Sequence, residues 1–154
     1  MNVFVADEQA VTVDTAAMRK LAESVLKAEG CPSESEVSVI LVDETEMASY
    51  NERFLKRTGP TDVISLPIED LAPGRPPTAV PAGPPPMLGD VILAPSVIRN
   101  RATDRGVNFE DEMALLVVHG LLHLLGYDHD LEEDAEAMES REHQLLEAAG
   151  RWRP

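Results

Sequence analysis

Cysteine is almost missing from this sequence. Cys31 stands alone, so no internal disulfide forms and the chain suits a reducing compartment. The thiol itself, just before Pro32, reads as a surface or half-buried side chain. Aromatic residues make up only 4% of the chain, which leaves Leu, Val, Ile, Ala and Met to build a core. No apolar run approaches the length of a membrane span, and the N-terminal MNVFVADEQAVTVD has neither the basic start nor the long apolar stretch of a signal peptide. The expectation is a cytoplasmic protein with no membrane partner. Positive charge is short as well: 13 Lys and Arg face 28 Asp and Glu, a net charge of −15. So acidic a chain repels polyanions at long range, and strong nucleic-acid binders ordinarily carry a basic stripe. Distribution then matters more than the sum. The acids gather at Glu110, Asp111 and Glu112 and again at Glu132, Glu133, Asp134, Glu136 and Glu139, where they read as solvated helix faces. The cations gather at Arg53, Lys56 and Arg57 and at Arg99, Arg101 and Arg105. A polyanion is admissible if those two clusters face the functional site.

What the chain does have is histidine in one place. Three of its four histidines fall in the run HGLLHLLGYDH, at His119, His123 and His129. His119 and His123 are four residues apart, so on a helix their imidazoles share a face one turn apart. Gly126, after Leu124 and Leu125, is suited to end that helix in a left-handed cap and let the chain turn back. His129 is thereby brought toward the other two. Three imidazoles with a fourth position open describe a catalytic zinc site better than a structural one, which four protein ligands would close. The spacing is that of the extended zinc-protease signature HExxHxxGxxH, with one departure: Gly120 stands where that signature places its general-base glutamate. Peptide hydrolysis is therefore disfavoured. His143, outside the run, reads as an ordinary exposed or helix-packed side chain.

A length of 154 residues, 44% of them hydrophobic and 27% charged, describes one soluble globular domain. Val3–Val5 reads as a short strand. Asp14 or Thr15 caps a helix through Ala28, with Leu21, Val25 and Ala28 on one face. Glu36–Val42 alternates and then runs β-branched, as a buried strand does. Asp43 with Glu46 three residues on is a capping-box pattern that opens a helix to about Leu55. Thr61–Leu66 is a third strand closed by Pro67, and Leu88–Leu93 a fourth. Between them, residues 69–87 are rich in Pro, Gly and Ala and read as a tolerated surface insertion without a packed core, mobile in part. Pro95 and Ser96 open a helix to about Thr103. Asn108 caps the one that carries the histidines to Leu125, and Asp130 caps a last one to about Ala149. Four strands and about five helices predict an α/β (α+β) fold, a small mixed sheet with helices packed on it.

The histidine run resembles the signature of the YbeY family, bacterial rRNA maturation factors described as single-strand-specific endoribonucleases. Asn51, the segment GPTDVISLP at 59–67 and LGDVI at 88–92 are similar to the family's other marked segments, in order and spacing. The resemblance implies a zinc-dependent endoribonuclease with one ion, acting on single-stranded RNA in 3′-end maturation of the small-subunit rRNA and in ribosome quality control. The small ribosomal subunit and ribosome-assembly proteins would be its partners. It places His119, His123 and His129 as the metal ligands. Many members carry an arginine shortly after the residue matching Asn51. Here that position is Leu55, and Lys56 or Arg57 is the candidate substitute. Leu66 stands where an aromatic is usual, a change read as packing.

Metal-assisted phosphodiester hydrolysis suits these residues. Zinc on three imidazoles lowers the pKa of a bound water to about 7 and polarises a phosphoryl oxygen, so the absence of a glutamate at Gly120 matters less than in a protease. The nucleophile is either that water or a ribose 2′-hydroxyl. Lys56 or Arg57 would hold phosphate, Arg by a bidentate fork and Lys as a point charge, or both are solvated helix-end cations. Asp128 is a candidate to orient a ligand imidazole, with proton acceptor and turn residue as its other readings. Asp62 and Asp90 are either strand-end groups facing the cleft or turn and capping residues. The alternative function is a zinc-stabilised ribosome-assembly binding factor that does not cut RNA.

Overall fold

The computed structural model describes residues 1–151. Its elements run β1 (Asn2–Asp7), α1 (Thr15–Ala28), β2 (Glu36–Leu41), α2 (Glu44–Leu55), β3 (Val63–Pro67), β4 (Met87–Leu93), α3 (Pro95–Arg105), α4 (Phe109–Leu124) and α5 (Glu132–Ala148). Local chemistry sets most of the boundaries. Asp14, Asp43 and Asn108 each accept the backbone N–H three residues on, at 3.0, 2.8 and 3.1 Å, and so start α1, α2 and α4 as their side chains predict. Pro95 occupies the first turn of α3, and Gly106 ends it in the left-handed region. The last helix departs from expectation. Leu131, not Asp130, is its N-cap and gives no side-chain bond, and the acids Glu132, Glu133 and Asp134 face the exposed N–H groups instead.

The four strands form one mixed sheet in the order β1-β2-β4-β3. β1, β2 and β4 run parallel, and β3 pairs antiparallel with β4 at the edge. β3 starts two residues later than the sequence suggests, because Asp62 turns its carboxylate onto the Val63 N–H at 2.8 Å. Pro67 is tolerated in the strand because β3 is an edge and needs no donor on its open side.

Alternation along β4 divides the core. Val91 and Leu93 join the larger cluster with α1, α4 and α5, while Ile92 points to the other face beside Ile64, Met47 of α2 and Val97 of α3. α2 and α4 therefore lie on opposite faces, with β3 as the edge between them. α4 is buried on nearly every side, as an apolar central helix must be. The segment 69–87 is more tied down than its composition suggests. Leu71 packs against the core, Pro77 is buried, and Ala72 pairs with Arg75; only from about Ala79 to Pro85 is it an open loop. No helix among the described residues is long and apolar enough to cross a membrane.

Candidate metal centre

The last turns of α4 carry His119 and His123 on one face, with their Nε2 atoms 3.1 Å apart. The helix then stops abruptly. The Gly126 N–H bonds to the His123 carbonyl at 3.1 Å and the Tyr127 N–H to the Leu122 carbonyl at 3.0 Å, the paired bonds of a Schellman cap. Gly126 has φ +97°, and a Cβ there would lie 2.1 Å from the Leu71 carbonyl oxygen, so both conformation and space demand glycine. The reversal brings the His129 ring 5.5 Å from that of His119 and 4.9 Å from that of His123, centroid to centroid. One ring nitrogen from each of the three lies within 4.8 Å of the others, the convergence that the spacing predicts.

The outer nitrogens decide what the inner ones can do. His119 Nδ1 is 2.9 Å from the Glu142 carboxylate, which α5 holds in the core, and His123 Nδ1 is 2.9 Å from the Tyr127 carbonyl. Both acceptors require an N–H on Nδ1, which leaves each Nε2 with a lone pair. Two lone pairs facing each other at 3.1 Å repel unless they share a cation. Tetrahedral zinc with Zn–N near 2.0–2.1 Å would separate such nitrogens by about 3.3 Å. The donor set therefore fits a divalent metal. His123 is held below the ordinary histidine value, first by burial and then by His119 and His129, so its ring stays neutral and able to ligate at neutral pH.

His129 is the open side of the centre, its side chain 53% exposed. Asp128 and Asp130 flank it with carboxylates 3.8 and 4.0 Å from Nδ1, beyond hydrogen-bond length. The Asp128 carboxylate is engaged with the His129 backbone N–H at 2.7 Å, which with smaller help from His123 and His129 keeps its pKa low. The imidazole-orienting role for which Asp128 is a candidate thus falls at His119 to Glu142 and at His123 to the Tyr127 carbonyl. Glu142 escaped the sequence reading, although a signal existed: with Met138, Leu145 and Leu146 it is the one acid in the buried stripe of α5. A cleft of about 210 Å³, lined by Leu115, Leu116, Met138 and Glu139 among others, opens beside His119 and His129.

Gly120 faces the sheet rather than the metal. A Cβ there would lie 2.6 Å from Val91 Cγ1, and the Ser65 hydroxyl donates to its carbonyl at 2.9 Å. A glutamate in that place would meet β4, which explains structurally why the protease base is absent. The other candidates are not gathered at the rings. Lys56 and Arg57 are exposed at the end of α2, on the opposite sheet face from α4, and Lys56 itself is the left-handed C-cap. Asp62 is occupied by Arg101 at 2.9 Å, a cation that is thereby neutralised. Asp90 is half-buried within β4, opposite Ser38 and Leu66. His143 is exposed, 3.8 Å from Glu147.

Comparison with known proteins bears on the family and the fold. A family model described as Endoribonuclease YbeY matches residues 4–150. The protein named endoribonuclease YbeY of Acidothermus cellulolyticus is 45% identical over 155 residues, covering 99% of this chain and 92% of its own length. That of Thermobifida fusca is 40% identical over 153 residues, covering 99% and 95%. The solution structure of TM1509 from Thermotoga maritima is similar with a TM-score of 0.61 over 96% of this chain and 91% of that one, and at 24% identity it bears on the fold alone. A match that extends from the first strand to the end of the last helix, at these identities, means that the chain belongs to the YbeY endoribonuclease family.

Proposed function

We propose that this protein is a zinc-dependent, single-strand-specific endoribonuclease that acts in rRNA processing, at the 3′ end of the small-subunit rRNA, and in ribosome quality control in the cytoplasm. The observation that carries the metal is the pair of Nε2 atoms 3.1 Å apart, each on a ring whose Nδ1 lies 2.9 Å from an acceptor. No fourth side chain joins the three imidazoles among the described residues, the pattern of a catalytic rather than a structural zinc. Bound there, zinc supplies Lewis-acid polarisation of a phosphoryl oxygen and lowers the pKa of water.

The protein's own groups have separate tasks in this reading. Glu142 and the Tyr127 carbonyl keep both helix imidazoles in the ligating tautomer. Asp128, ionised and exposed beside His129, is the nearest candidate to accept a proton at the open side. Arg53, Lys56 and Arg57 make no ion pair among the described residues, so they are available to phosphates of a strand that passes over the β3 edge toward the rings. Such a route reconciles a chain of net charge −15 with a polyanionic substrate, because only the local cations meet it.

The test is cleavage of a labelled single-stranded RNA by protein of known metal content, beside chelated, zinc-restored and His123→Ala samples. Cleavage that is lost on chelation and in His123→Ala, and regained with zinc, is the expected result. Tightly held zinc without cleavage above the His123→Ala background would instead favour a ribosome-assembly factor that binds without cutting, a reading that Leu55 in the family's arginine position supports.

A further inference from the structure

Tyr127 contributes only its backbone to the histidines, and its side chain is committed elsewhere. The phenol donates to Glu29 Oε2 at 3.3 Å. The other oxygen of the same carboxylate receives Arg141 Nε at 2.5 Å, and Arg141 also reaches the Ala28 carbonyl at 3.4 Å and Gln144 at 3.0 Å. Glu29 is the C-cap of α1, its side chain is only 6% exposed, and the guanidinium and the phenol both face its carboxylate. Three separate parts of the fold meet at this carboxylate: the end of α1, the turn after α4, and α5.

The consequence falls on one carbonyl. On its N-terminal side the Tyr127 peptide is tied to Leu122, the C3 position of the helix cap, and Gly126 before it is pressed against Leu71. On its other side follow the exposed residues 128–130, where the Asp128 carboxylate turns to the His129 N–H rather than to the body of the fold. The side chain is what fixes the residue in that direction. We propose that Glu29 and Arg141 are positioning residues for the metal centre, acting through Tyr127: the clamp holds the Tyr127 carbonyl where it receives His123 Nδ1–H. Without it the turn relaxes, His123 loses its fixed tautomer and orientation, and Nε2 no longer points at the shared centre. Neither residue touches the rings, and neither lies in the histidine run.

This inference rests on the reading that the histidines hold a divalent metal, and the experiment separates the two. Zinc affinity would be measured by competition with a chromophoric chelator, and the cobalt(II) visible spectrum recorded, for the wild type, Tyr127→Phe, Glu29→Gln and Arg101→Gln, with the melting point of each metal-free protein. The clamp predicts about tenfold or greater weakening of zinc binding in Tyr127→Phe and Glu29→Gln, with an altered cobalt spectrum. Arg101→Gln, which breaks an ion pair elsewhere, leaves both unchanged. If Glu29→Gln does not fold, Tyr127→Phe decides, since it removes one hydroxyl. Lower melting points with unaltered affinity and spectrum would show a tie that serves only the fold and overturn the clamp. A wild type that binds neither metal would overturn the metal reading, and the clamp with it.

Discussion

At Gly120 two opposing free energies decide what a methyl group would do. Alanine is favoured over glycine inside a helix by about 1 kcal/mol. Here its Cβ would lie 2.6 Å from Val91 Cγ1, on a β4 side chain with no exposed surface to retreat into. Overpacking of that kind costs about 1–3 kcal/mol, so the net effect of Gly120→Ala is expected to be destabilising, read as a lower urea midpoint at unchanged slope. A raised midpoint would show that α4 can move off the sheet. The sequence shows the glycine but not its reason, because the spacing HGLLH says where the histidines point and not which strand lies behind them. Glu142 is the opposite case. Its place in an apolar stripe was legible, yet its partner His119 is 23 residues away, a distance that no local pattern spans.

Among whole elements, the legible ones are those whose signals are local. Side-chain caps at Asp14, Asp43 and Asn108, and Gly126 at the end of α4, are settled within four residues of chain. α5 starts one residue beyond the cap that Asp130 suggests, because the run YDHDLEED offers several acids as caps and the turn geometry puts Leu131 there instead. For the proline-rich segment only composition is local, and composition does not show that the Leu71 backbone closes against Gly126. Pairing order and sheet face are likewise long-range, and they govern α2. Its Arg53 guanidinium lies 4.9 Å from the Tyr50 ring and 5.4 Å from that of Phe54, which puts a cation beside stacked rings on an exposed helix end. If RNA passes there, replacing Arg53, Lys56 and Arg57 together by Ala weakens binding to all single strands alike. It also lowers the salt slope by about 2, at roughly 0.7 per phosphate contact. Binding and slope equal to wild type, measured on catalytically dead His123→Ala protein, would place the RNA elsewhere.

For the molecule as a whole, one titration reports on folding apart from the metal. Burial, and then the charge of Glu29, pushes the Cys31 thiol from 9.0 up to about 11. Between those values the unfolded chain releases a proton that the native protein keeps, so stability present below pH 9 is lost as pH rises toward 11. The loss at pH 10.5 amounts to up to about 2 kcal/mol. Lysines and tyrosines titrate in the same window, so the readout is the difference between wild type and Cys31→Ala across it. Equal pH dependence in the two proteins would refute the assignment.

The metal and the core also make separable contributions to stability. The larger hydrophobic cluster joins α1, α4 and α5 to the sheet through side chains that need no ion, among them Leu26, Leu41, Leu93, Leu121, Leu122 and Leu146. The three imidazoles lie at the edge of that cluster, and only His129 belongs to a segment without regular structure. Metal-free protein is therefore expected to unfold cooperatively, unlike small zinc domains whose fold exists only with the ion. Zinc at a hundred times its Kd then adds about 2.7 kcal/mol by mass action, roughly 5–10 °C in melting temperature for a chain of this size. Chelator should remove the increment, and His123→Ala should never show it. A metal-free sample with no cooperative transition would mean that the histidines organise the fold itself, and the open coordination position would lose its catalytic meaning.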